Sequence, residues 1–222
     1  MKKGDLLWGA VLIAWILILV VPSSRAVFIT VTNKYPYLGG FIKFSILATM
    51  GDLLGIRVLK GTWILPKGLL YKAIIWGIIG TMVTLMFTIF MGGAAAAQAS
   101  GKLPFEGSTV AQAFFGSAVM NVTFGPMMML FHRFTDMYID TRYEKKGSHI
   151  SLRELIAKND WNSLIEFTWL KTCPFFWIPA HTIVFLLPSQ YRVIISAFLS
   201  IALGLLLTIA RKEKTVNSET AI

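Results

Sequence analysis

The sequence predicts an all-α fold: a polytopic membrane helix bundle of about six transmembrane helices, with one short cytoplasmic amphipathic helix. Three observations carry this. Of the 222 residues, 55% are hydrophobic and only 14% charged, and mean hydropathy is +0.66, a composition foreign to soluble domains of this length. Apolar runs on the scale of a bilayer crossing recur along the chain. Most of the 21 Lys and Arg, behind a net charge of +10, fall between those runs or at their ends instead of forming one patch. In a soluble protein this charge would suggest nucleic acid. Here the positive-inside rule accounts for it, and no nucleic-acid partner is expected.

The elements follow in order, as one transmembrane domain over residues 1–210. The first expected span is about 6–21, after Met1-Lys2-Lys3. Pro22-Ser-Ser-Arg-Ala26 gives it the look of a secretory signal, but we read it as a retained span. Residues 26–32 alternate weakly and are expected as an outer segment. The second span, about 37–58, carries Lys43 and Asp52 in an otherwise apolar run. The third is about 69–91 and is expected to end at Gly92-Gly93-Ala94. The fourth is about 109–132, with Asn121, then Gly125-Pro126, where proline removes a backbone donor.

Residues 133–162 form the cytoplasmic segment. The fourth helix is expected to continue until near Gly147, and Ser151-Leu-Arg-Glu154 fits a capping box opening a short surface helix. The fifth span is about 164–187, with Lys171, Pro174, Pro179 and His181. The sixth is about 191–210, and a mobile tail follows over 211–222. With the N-terminus inside, fifteen Lys and Arg lie on inner segments and four on outer ones, while Lys43 and Lys171 lie within spans. That bias puts both termini on the cytoplasmic side.

No sequence signature of a nucleophile elbow, zinc protease helix, phosphate loop or dinucleotide fold is present. Cys173 is the only cysteine, so no intrachain disulfide can form, and it is expected as a small packing residue. No metal, cofactor or catalytic residue is expected. His132 and Asp136, four apart, share a helical face. This pair suits an imidazole oriented for acid–base work or, more simply, an ion pair at a helix end. Polar side chains at bilayer depth are costly and functional by default. The expected pore or buried polar site is therefore Asp52, Lys43, Asn121, Lys171 and His181. Asp52 follows Gly51 in a Gly-x-x-x-Gly spacing that lets another helix approach. Its charge partner is expected from another span: Lys171, His181, Arg133 or Arg192.

Several short motifs combine. Tyr35-Pro36 leads through an apolar run to Gly51-Asp52. Gly125-Pro126 is followed by Phe131-His132-Arg133-Phe134 and Asp136. Trp177 and Pro179 precede Leu187-Pro188-Ser-Gln-Tyr191-Arg192. Together they resemble the motifs of the Mpv-seventeen/peroxisomal membrane protein twenty-two family over residues 35–58 and 122–210. Spans 6–21 and 69–91 are extra, and that family's Asp-Gln segment is not evident. The resemblance implies a small channel-like membrane protein affecting metabolite balance.

The expected function is thus a non-enzymatic channel-like or transporter-like protein for small polar solutes in a plasma membrane, with the lipid bilayer as partner and homo-oligomerisation left open. Rival expectations are the substrate-binding subunit of an uptake system, an intramembrane enzyme using His132 and Asp136, and a structural membrane protein.

Overall fold

A computed structural model describes residues 2–146 and 149–219, with side chains as far as residue 205. Every regular element among the described residues is helical. Helix α1 (Lys3–Val20) meets α2 (Pro22–Lys34) at a kink. Pro22 at the first helical position lacks the donor that α1 would need to continue, yet is preset for a new helix. Ser24 Oγ lies 3.1–3.2 Å from the carbonyls of Leu17, Ile18 and Val21 and donates into the exposed end of α1. The weak alternation over 26–32, expected as an outer segment, is therefore helical.

Helix α3 (Pro36–Lys60) stops at Gly61, whose φ of +68° is a left-handed cap that favours glycine. Lys2 donates to the Gly61 carbonyl at 2.8 Å, Asp5 pairs with Arg57 at 3.0 Å, and Trp8 Nε1 donates to the Met50 carbonyl at 2.9 Å. Thus α1 begins where α3 ends, and the two run antiparallel. We call this end of the bundle the lower end.

Helix α4 (Leu69–Ala99) returns upward against α3. Their seam depends on two glycines: a Cβ on Gly40 would stand 2.6 Å from the Gly80 carbonyl oxygen. Only backbone fits there, the small-residue approach familiar from membrane helices. Gly92 and Gly93, expected to end the third span, lie inside α4, and the alanines after them carry it to Ala99. Alanine is the strongest helix former and offsets the two glycines.

A short turn leads to α5 (Thr109–Glu144), capped by Ser108, whose hydroxyl accepts from the Ala111 amide at 3.3 Å. It descends past Pro126 to the lower end. The turn expected near Gly147 lies outside the described residues. Helix α6 (Leu152–Lys158) opens as its capping sequence suggested, with Ser151 Oγ accepting from Glu154 N at 3.2 Å. Ion pairs Lys145–Glu154 (2.7 Å) and Lys158–Glu144 (2.9 Å) tie it to the end of α5.

The chain rises again through Ser163–Trp177, which is π-helical, and α7 (Ile178–Leu186). The hydroxyls of Thr168 and Thr172 donate to carbonyls five residues earlier, at 3.4 and 2.9 Å, in keeping with the i→i+5 period. Finally α8 (Ser189–Glu219) descends against α3, where a Cβ on Gly51 would meet Ile201 Cα at 3.2 Å. The expected tail from 211 is helical in its backbone as far as Glu219, and residues 220–222 lie outside the described residues.

Three of the described helices, α1, α4 and α5, are long and apolar enough to cross a membrane, where six spans were expected. Helix α3 is long but carries Lys43, Asp52, Arg57 and Lys60. The expected fifth span is divided between the π-helical segment and α7. In α8 the described apolar stretch is the shorter Ser189–Leu205.

Candidate functional site

Three of the cavities in the bundle are lined by α2, α3, α4, α5, the π-helical segment, α7 and α8. The lower cleft, about 310 Å³, is lined by Asp52, Lys72 and Asp136 among apolar groups of α3 and α4. Asp52 is exposed to this cleft, and its Oδ2 accepts from Trp76 Nε1 at 2.7 Å. The Trp76 ring packs on His132, tilted by 36° with centroids 4.1 Å apart. Lys72 reaches Asp136 at 3.3 Å and Asp140 at 2.8 Å. The partner of Asp52 is thus an indole N–H, not Lys171, His181, Arg133 or Arg192. His132 and Asp136 do share a face, but one packs on Trp76 while the other binds Lys72. Buried His132 Nε2 and Asp136 Oδ1 have no hydrogen-bond partner among the described residues.

The central cavity is narrow, about 50 Å³, and mostly apolar. That is room for a few waters. Asn121 and His181, both buried, face each other with the His181 Nδ1 3.1–3.2 Å from the Asn121 amide atoms. His181 thus both lines the cavity and forms a hydrogen bond between helices. Its ring lies flat on Trp177 at 4.9 Å and edge-on to Phe87 at 5.4 Å. Asn121 also donates to the Ser117 carbonyl at 2.8 Å, which fixes its amide. Cys173 is buried beside Gly125 and lines this cavity.

The upper cleft, about 220 Å³, is lined by Lys43 and Arg192 among hydroxyl and amide side chains. Lys43 is only 3% exposed. Its ammonium donates to Thr32 Oγ1 at 2.9 Å and sits 4.6 Å from the centre of the Phe28 ring. Arg192 Nε donates to the Leu187 carbonyl at 2.9 Å.

Two aromatic side chains link the walls of the three spaces. Trp76 lines the central cavity while its N–H holds the carboxylate of the lower cleft. Phe87 lines both the central cavity and the upper cleft. Of the five residues expected in one polar site, Asp52, Asn121, His181 and Lys43 thus lie along one line of cavities. Lys171 does not: it is exposed on the outer surface, next to buried Thr172 and Cys173. It sits in the π-helical segment, where faces repeat with a longer period than in an α-helix. Among the motif residues, Gly51, Asp52 and Asp136 line the lower cleft and His132 adjoins it through Trp76. Gly125 and Trp177 line the centre, and Arg192 lines the upper cleft, just after Pro188. Pro126 follows Gly125 within α5.

Sequence reasoning missed Trp76, Lys72 and Phe87. Lys72 had a signal, a cation one turn into an apolar helix. Trp76 and Phe87 had none, since aromatic residues are ordinary in such a span. Comparison with family models, with curated proteins and with solved structures finds no match to this chain.

Proposed function

We propose that the protein is an integral membrane protein that passes small polar solutes through its bundle, from one cleft to the other by way of the central cavity. The observation that carries this reading is the file of three cavities, each neighbouring pair linked by one aromatic side chain. A bundle serving only as a scaffold has no need to place polar groups on successive levels of one line, where each is costly to bury. In this reading six passes cross the bilayer: α1, α3, α4, α5, the π-helical segment with α7, and α8. The lower end and both termini face the cytoplasm of a plasma membrane, as the Lys and Arg bias favours. The motif resemblance supports the same reading, because its residues line the file.

The described conformation is closed. A solute enters the lower cleft past Asp52 and stops at Trp76. Asp52 holds the indole through the hydrogen bond its carboxyl oxygen accepts from Trp76 Nε1. Rotation of Trp76 away from Asp52 joins the lower cleft to the cavity of Asn121 and His181. Movement of Phe87 then opens the upper cleft. The non-α segment beside the cavity suits this, because irregular helices in membranes line cavities. Flux of size-graded polar solutes into proteoliposomes tests the proposal. Wild type should conduct the smallest solutes, and Asp52→Asn should change the rate by about tenfold. Equal flux in a folded Asp52→Asn variant contradicts the role of Asp52, and absence of flux in both contradicts the proposal.

A further inference from the structure

The upper cleft is chemically one-sided. Among the described residues Lys43 and Arg192 line it, and no Asp or Glu does. Every ion pair involving a described Lys or Arg elsewhere, such as Arg57–Asp5 or Lys72–Asp140, has its carboxylate supplied by the fold. Lys43 instead has a hydroxyl and a ring face. A buried ammonium costs several kcal/mol unless a counter-charge is present. One hydrogen bond to Thr32 uses one of its three N–H donors. The cation–π contact with Phe28 offsets only part of that cost.

The surroundings of Lys43 favour an anion in the remaining space. Arg192 presents a guanidinium whose Nε is held by the Leu187 carbonyl, so its geometry is fixed. The cleft also takes in Ser189 and Gln190, the first turn of the long helix α8. Unsatisfied amides of a helix start favour negative charge. Thr32, on the opposite wall, accepts from Lys43 and keeps its own proton to donate. The volume of about 220 Å³ accommodates a phosphate or carboxylate group with several waters.

We propose that the upper cleft is an oxyanion-binding site, with Lys43 and Arg192 as the paired cations and Thr32, Ser189 and Gln190 as neutral donors. The ligand class is a phosphate or carboxylate group, either a free small anion or the headgroup of an anionic lipid. The site stands whether or not solutes cross the bundle.

The test uses the full chain in nanodiscs of phosphatidylcholine alone, or of phosphatidylcholine with phosphatidylglycerol, in chloride-free buffer. Inorganic phosphate is titrated into the first preparation, and thermal unfolding is followed in both. Phosphate or phosphatidylglycerol should raise the unfolding temperature of wild type. A rise with phosphate indicates a free anion, and a rise only with phosphatidylglycerol indicates a lipid headgroup. Lys43→Met and Arg192→Gln should each weaken that response by about tenfold. Lys43→Met has a second readout: without an anion it should unfold no lower than wild type, since it removes a charge lacking a counter-ion. A role confined to holding Thr32 predicts the opposite, a variant less stable with and without anion. No response of wild type to either probe, or an undiminished response in folded Lys43→Met and Arg192→Gln, overturns the proposal.

Discussion

The lower and upper clefts both open onto the α3–α4 pair, yet they handle charge in opposite ways. In the lower cleft the fold supplies both signs. Lys72 lies between Asp136 and Asp140, and Asp52 takes an indole N–H. In the upper cleft the fold supplies only cations, one of them almost wholly buried. The difference separates two meanings of a polar residue inside an apolar bundle. Charges neutralised by neighbours hold elements together and tune a surface. A charge left without its opposite is completed by something outside the chain.

The comparison breaks first at the seam that carries both clefts. Gly80→Leu forces a side chain onto the Gly40 backbone and should destabilise the bundle by about 3 kcal/mol, read as a lower midpoint of chemical unfolding in detergent. It should remove the anion response and the solute flux together. Lys72→Met sharpens the contrast at the lower end. It strips two carboxylates of their common partner and should cost about 2 kcal/mol, discounted because Asp140 is half exposed. At the upper end Lys43→Met should cost nothing in the same assay without anion. Equal losses from Lys72→Met and Lys43→Met would erase the distinction between the clefts.

How much of this was legible in the sequence follows the range of the interactions. Helical segments, the Ser151 cap and the close approach at Gly51 rest on near neighbours and small residues, and these were readable. Lys43, Asn121, His181 and Asp52 were readable as polar groups in apolar runs, because hydrocarbon makes such groups conspicuous. Which of them meet was not. The Trp76–Asp52 bond joins α4 to α3 across 24 positions, and an indole in a membrane span gives no sign of its partner. Lys171 was expected inside because it lies within an apolar run, but depth along a span does not say which face a side chain takes, and Lys171 falls on the exposed face of the π-helical segment. The helix over Pro22–Lys34 was hidden because its threonines and valines favour strands in isolation, whereas proline and Ser24 set the local structure.

The central claim is that the three cavities join into one path when Trp76 moves aside. Cys173 lines the middle cavity and is the only thiol in the chain, so it reports that event without engineering a label site. The measurement is the rate at which a small charged thiol reagent modifies Cys173 in sealed proteoliposomes, in wild type and in Trp76→Ala. The account predicts slow modification in wild type, modification faster by about tenfold or more in Trp76→Ala, and block of solute flux once Cys173 has reacted. A Cys173 equally unreactive in both, in a folded Trp76→Ala protein, would contradict it: the cavities would then be separate spaces in a packed bundle.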